Sequence, residues 1–421
     1  MRLGVPLVCA LTLVFGACSA ADEGIDAESV TSSTLESVPA MTTVAPVVQV
    51  TATTEATTTE ATTTTVPVVA PMVWQRVADD GTFADSSIRV VVEGGPGLVA
   101  GGWVYDADLY RSVGPWGGAG CAALWVSDDG AIWERVGDPS VCGVGDSGTG
   151  SGIFDIAVGP LGFVAVGSHI WISPDGFSWS RVYDLDGNGF VFGVTAGGPG
   201  WVAVGANEVD GLVWVSSDGL EWVLIEDEDL LAGDTVAAEL RDVTLSGPGL
   251  VAVGSVGVYG KLGDADLRGA VWISEDGVDW QRLPDDTFDG EGVFEGVTSD
   301  VASGRIIAFG PDGIWHSIDA REWARGTERT VLWGPPPSSG VAWDADRAVA
   351  GGEDFELSVW ASLDGGLTWH GIEPDGVTFT HAEIVHDVAL VDSRFVAVGE
   401  TPGPISEPPT GVVWIGEWTD R

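Results

Sequence analysis

One short pattern returns seven times along this chain and restricts its fold more than anything else in it. A first tryptophan recurs at Trp125, Trp171, Trp214, Trp272, Trp315, Trp360 and Trp414, each within a short apolar run. After the first six, Ser-x-Asp, usually followed by Gly, leads to a second tryptophan, as in Ser127/Asp129/Gly130/Trp133 and Ser274/Asp276/Gly277/Trp280. Units this short cannot bury a core alone and must stack on their neighbours, in a ring or in a solenoid.

Each unit carries a second element upstream, such as GPGLVAGG (95–102), GPGWVAVG (198–205) and SRFVAVG (393–399), preceded by another β-rich run. The turn residues between these runs predict four antiparallel strands per unit: A, then B with VAVG, C with the first tryptophan, and D with the second. The count predicts an all-β fold, a seven-bladed β-propeller of four-stranded blades over residues 72–421. The seventh second tryptophan is missing after Trp414. It is found at the other end, where Val73-Trp74-Gln75-Arg76-Val77 matches the sequence around Trp133. The N-terminal strand is therefore expected to complete the last blade and leave no open edge.

The pattern is fullest at Ser362/Asp364/Gly366/Thr368/Trp369. It resembles the Asp-box, or bacterial neuraminidase repeat, of sialidases, xyloglucanases, sortilin-type receptors and a photosystem II assembly factor. The resemblance implies a propeller and leaves the activity open. It also implies that Asp129, Asp175, Asp218, Asp276, Asp319 and Asp364 stabilise the C–D turns, away from any ligand.

Strand order sorts the loops. The A–B and C–D turns share one face and are short. The B–C and D–A connections share the other and are longer and more varied: 103–123, 137–152, 206–212, 226–239, 255–270, 284–292 and 400–411. Variable loops on a rigid scaffold are where binding concentrates. Trp103, Tyr105, Tyr110, Trp116 and Tyr259 lie in these loops and are candidate ligand aromatics. Asp155, Asp242 and Asp387 hold equivalent positions on strand A, with Glu295 as a fourth candidate, and are expected near the central channel. There they would bind a ligand or hold neighbouring segments by hydrogen bonds. Cys121 and Cys142 bracket the first C–D hairpin and are the expected disulfide. Asp184, Asp186 and Asn188 resemble the start of a calcium loop, but its twelfth position is Thr195 and no helix flanks it, so a tight acidic turn is the better reading. No cofactor is required by the sequence, and Ca2+ is the one metal it suggests.

The first 71 residues belong outside the propeller. Residues 1–17 read as a signal peptide with an apolar core too short to span a bilayer. Phe15-Gly16-Ala17-Cys18 resembles the lipobox of bacterial lipoproteins, which implies lipidation at Cys18, export and attachment to the outside of a bacterial membrane or envelope. Residues 18–71 are Thr- and Pro-rich and read as an extended stalk. With 63 acidic and 17 basic residues, and a formal net charge of −46, the chain lacks the basic face that nucleic acid requires. A monomer is expected.

Two functions compete. The first is a surface-anchored binding or assembly scaffold for glycan, peptide or envelope protein, acting through the acidic variable-loop face. The alternative is a glycoside hydrolase, either sialidase-like or with two carboxylates. The Phe/Tyr-Arg-Ile-Pro motif of sialidases is absent, and Arg76, Arg135, Arg181, Arg282 and Arg325 all fall on outer strand D. The scaffold is the preferred reading.

Overall fold

The computed structural model describes residues 72–113, 120–136, 152–185, 189–230, 237–259, 265–284, 287–288, 293–300, 303–310, 313–326, 340–352, 359–371, 383–404 and 406–419. The segments expected to be a signal peptide and a stalk, with Cys18, and also Trp116, Cys142, Asp186 and Asn188, lie outside them.

Alternating Val, Ile, Ala and Trp residues build seven separate four-stranded antiparallel sheets, each pairing its strands in the order A-B-C-D. Six blades are sequential in the chain. The seventh takes strands A to C from Ile384–Val391, Arg394–Thr401 and Thr410–Trp418, and strand D from Met72–Arg76. Trp74 pairs with Gly416 and Arg76 with Trp414, so the expected closure by the N-terminal strand is present. Arg76 Nη1 also donates to the Glu383 carboxylate at 2.5 Å, tying the closing strand to the start of this blade's strand A.

Seven apolar clusters fill the seven junctions between blades. One joins Leu98, Trp125 and Trp133 of the first blade to Val396, Val398 and Val413 of the last. The others join successive blades around the ring. Trp125, Trp171, Trp214, Trp272, Trp360 and Trp414 are buried here, which explains why the strand C tryptophan recurs in every unit. A blade without its neighbour would expose one whole face of these side chains, so burial itself demands a closed ring.

The six Ser-x-Asp turns share one hydrogen-bond scheme. In the fourth blade, Ser274 Oγ accepts the Gly277 N–H at 2.8 Å, and Asp276 Oδ1 accepts the N–H groups of Val278 and Asp279 at 2.9 and 3.0 Å. Trp280 Nε1 then donates to the Gly277 carbonyl at 3.0 Å. These bonds hold the Asp276 carboxyl below the usual range, the two backbone donors outweighing the effect of burial. The turn needs a left-handed residue after the Asp, which Gly supplies in the other five; in the fifth blade Ala320 adopts φ +61° instead.

Loop 255–270 differs from expectation. Strands B and C of the fourth blade run on as a long hairpin, Gly249–Tyr259 against Ala265–Ser274, with Tyr259 paired to Ala265. Ser255, Val256, Gly257 and Val258 pair with Gly269, Arg268, Leu267 and Asp266, continuing the ladder through what composition alone marks as loop. The first B–C insertion is also structured. Strand B reaches Tyr105, a short helix spans Ala107–Val113, and strand C starts at Gly120. Among the described residues no helix is long and apolar enough to cross a membrane.

Candidate functional site

Five of the innermost strands are interrupted by a β-bulge, and the bulges build the site. The register shifts between Ile88 and Val90, Ile153 and Asp155, Val191 and Gly193, Leu240 and Asp242, and Val385 and Asp387. The extra residues are Arg89, Phe154, Phe192, Arg241 and His386. A bulge re-aims side chains and ends regular pairing, so these five depart together from the regular alternation of the strand.

Four of them form an arc across successive blades. The Arg89 guanidinium lies 4.7 Å from the ring centroid of Trp103. Trp103 meets Phe154 edge-on at 5.9 Å, Phe154 meets Phe192 at 5.8 Å, and the Arg241 guanidinium lies 5.1 Å from Phe192. Phe190 stacks beside Phe192 at 6.2 Å. Arg89, Trp103, Phe154, Phe190, Phe192 and Arg241 are all half-buried, presenting part of their surface at the variable-loop end of the inner strands.

Both ends of the arc carry acids. Arg241 Nε faces Glu239 Oε1 at 3.2 Å. Arg89 Nη1 lies 3.0 Å from His386 Nδ1, and His386 Nε2 faces Glu400 at 3.8 Å. Burial works against the Glu400 carboxylate, but the hydrogen bond and charge of His386, with Arg89 and Ser87, hold it down at about 2. This corner therefore carries a fixed negative charge beside a positive one.

Of the expected aromatics, Trp103 belongs to the arc. Tyr105 and Tyr110 extend it, ring to ring at 5.1 Å, and the Trp103 indole N–H donates to the Tyr105 hydroxyl. Burial pushes the Tyr105 hydroxyl up to about 12, which is opposite to what a nucleophile needs. Tyr259 lies in the long hairpin of the fourth blade, and Trp116 is outside the described residues.

One residue beyond the bulges lies a second ring. The residues that follow it, Val91, Ile156, Val194, Val243, Val297, Val341 and Val388, all pair with the equivalent alanine of strand B. The ring itself therefore reads Val90, Asp155, Gly193, Asp242, Gly296, Gly340 and Asp387 around the axis. Each Asp spans two blades. The N–H of Val194 donates to Asp155 Oδ2 at 2.7 Å, that of Val297 to Asp242 at 2.8 Å and that of Val91 to Asp387 at 2.8 Å. The other oxygen of each accepts the next N–H of its own strand, at 2.7 Å. Glu295 is not in this ring: Gly296 holds the equivalent place in the fifth blade, and Glu295 precedes it. A shift of one residue separates the two, because the fifth blade closes its A–B connection between Asp300 and Arg305, a longer turn than that between Gly159 and Gly162 in the second, so spacing to strand B does not carry over.

Burial raises all three Asp carboxyls, and their mutual repulsion adds to the rise at Asp242 and Asp387; Asp387 reaches about 8. Asp184 faces Arg181 at 3.0 Å and His169 at 3.5 Å, so a cation already occupies its side. Among the described residues no group of three His, Cys, Asp or Glu side chains is placed to hold a metal ion. Cys121 opens strand C next to Gly120, and its expected partner lies outside the described residues.

No protein-family model matches the chain, and no curated protein sequence matches it. Solved structures do. They include YCF48 bound to a D1 peptide, 16% identical with a TM-score of 0.48, covering 85% of this chain and all of that one. The Trypanosoma rangeli sialidase in complex with the inhibitor DANA is 11% identical with a TM-score of 0.46, covering 84% of this chain and 60% of that one. The GH74 enzyme of Niastella koreensis is 12% identical with a TM-score of 0.44, covering 80% of this chain and 44% of that one. Identities this low say nothing about ligand or reaction, which have to come from this chain's own side chains.

Proposed function

We propose that this protein is a surface-anchored binding scaffold, lipidated at Cys18 and held off its membrane by the 18–71 stalk. Its site is the arc Arg89–Trp103–Phe154–Phe192–Arg241. The observation that carries this reading is that four consecutive blades place charged or aromatic bulge residues in one continuous arc. The side chains touch one another from blade to blade while each keeps part of its surface exposed. Aromatic surface flanked by guanidinium and carboxylate groups suits an elongated glycan or peptide, with stacking along the middle and hydrogen bonds at the ends.

Binding is preferred over glycoside hydrolysis because both oxygens of each axial carboxylate are engaged by backbone N–H groups. Tyr105, whose hydroxyl is held protonated, offers no nucleophile. The test is a binding screen of the 72–421 propeller against glycan and peptide arrays, with and without calcium. Saturable binding lost in Phe192→Ala supports the scaffold. Release of sugar from a bound glycan would replace it with the hydrolase.

A further inference from the structure

The outermost strand of the third blade departs from the other six. In strand D, the residue paired with the strand C tryptophan is Arg76, Arg135, Arg181, Arg282 or Arg325 in five blades and Gly371 in blade six. In the third blade it is Leu224, within the strand Val223–Ile225. Val223 and Leu224 are 59% and 43% exposed, and Leu220 in the turn before them is 55% exposed. Charged side chains on an edge strand discourage pairing with another chain; here apolar surface takes their place.

The backbone of this edge is open as well. In the first, fourth and fifth blades the residue after the Arg donates its N–H inward to strand C: Val136 to Leu124, Leu283 to Val271 and Gly326 to Ile314, at 2.9, 2.9 and 2.8 Å. Ile225 holds that place in the third blade, opposite Val213. Inward and outward groups alternate along an antiparallel edge, so the N–H and C=O groups of Trp222 and Leu224 point away from strand C. In the fourth blade the matching tryptophan, Trp280, donates its N–H to Asp227 Oδ2 at 2.9 Å. One blade earlier the residue that matches Asp227 is Asp184, five positions after Trp179. It faces Arg181 at 3.0 Å and His169 at 3.5 Å instead. Among the described residues nothing accepts the Trp222 backbone N–H.

Charge says what kind of chain fits. No Lys, Arg or His occurs between Tyr183 and Arg241. Glu221, Glu226, Glu228 and Asp229 flank the strand and are exposed. Like charges oppose a second copy of this chain on the same strand and favour a cationic one.

We infer that the outer edge of blade three is a second docking surface, which takes an extended cationic segment of another protein as an added strand. The partner's backbone pairs with Trp222 and Leu224, its alternate apolar side chains cover Val223 and Leu224, and its Lys or Arg residues meet the flanking acids. This surface is on the outside of the ring and does not depend on the arc.

Fluorescence polarisation of the full chain with three labelled peptides tests the inference. The alternating cationic peptide KKVTVTVKK should bind saturably. KKSGSGSKK, of the same charge, and EEVTVTVEE, of the same strand pattern, should each bind at least about tenfold more weakly. Leu224→Arg, which restores the residue of five other blades, should weaken KKVTVTVKK by at least about tenfold with the melting temperature unchanged. Leu224→Gln, which adds no charge, should weaken it as well. Hydrogen exchange at Trp222 and Leu224 should slow in the complex, and Phe192→Ala, which alters the arc, should leave this binding as it is. Equal binding of KKSGSGSKK would reduce the surface to unspecific charge attraction and overturn the added strand. So would a lack of saturable KKVTVTVKK binding, or binding unchanged in both Leu224 variants. Dimers of the free chain that Leu224→Arg dissolves would put a second copy on this edge and overturn the cationic partner.

Discussion

The Asp387 carboxylate accepts the backbone N–H of Val91 at 2.8 Å, joining the last blade to the first at the innermost strand. At the outer edge of the last blade, Trp74 and Arg76 bring the chain's N-terminal strand onto strand C. The ring is thus secured at both radii, once by a side chain and once by a strand exchanged between the chain's two ends.

Replacing Asp387 by Ala leaves two amide groups, those of Val91 and Val388, without their acceptor. A lost acceptor to a buried amide costs about 1–3 kcal/mol. Urea denaturation at pH 5 should show a loss in that range. The loss should be smaller at pH 9, where the wild-type protein bears the cost of the ionised carboxyl and the variant does not.

Trp74 is 1% exposed, in the core of the last junction. Trp74→Ala should cost about 3–5 kcal/mol by cavity formation, measured by thermal or chemical denaturation. Exposed Val73 on the same strand is the internal control: Val73→Ala should change stability by less than about 0.5 kcal/mol.

The Ser-x-Asp turns predict an acid limb opposite in sign to the contribution of the raised Asp387 carboxyl. Backbone N–H donors hold the Asp175, Asp218, Asp276 and Asp319 carboxyls below their usual range. Groups lowered on folding give stability that is present above the unfolded value and lost as pH falls through the folded one. The melting temperature should therefore drop below about pH 4, and Asp276→Asn should flatten part of that drop without altering the alkaline side.

The bridge proposed between Cys121 and Cys142 would close the first C–D hairpin. By the chain-entropy model a loop of that size gains about 3 kcal/mol. Peptide mapping of the full chain produced in an oxidising compartment should recover the two cysteines in one non-reduced fragment, and reduction should lower the melting temperature. Two free thiols would exclude the bridge.

The fold was legible because burial forces repetition: every junction needs a large strand C side chain, and tryptophan marks it unit by unit. Ring closure was legible for the same reason, since one missing tryptophan left one unfilled junction. Asp155, Asp242 and Asp387 could be found by spacing to strand B. Arg89, Phe154, Phe192, Arg241 and His386 could not, because a bulge is a backbone feature that one extra residue creates. The available signal was the residue preceding each axial position, which reads Arg, Phe, Phe, Arg and His where a regular strand would alternate. Glu295 was grouped with the axial carboxylates although the longer A–B connection of the fifth blade, closed by Asp300 and Arg305, breaks the spacing to strand B that identifies the other three.

The arc from Arg89 to Arg241 is the central claim, and array binding by paired variants tests it most directly. Wild-type 72–421 should bind at least one glycan or peptide class. Arg241→Ala and Phe192→Ala should each weaken that binding at least about tenfold, the equivalent of 1.4 kcal/mol, with melting temperatures within about 2 °C of wild type. Binding unchanged in both variants, in proteins that remain folded, would place the ligand elsewhere and contradict this account.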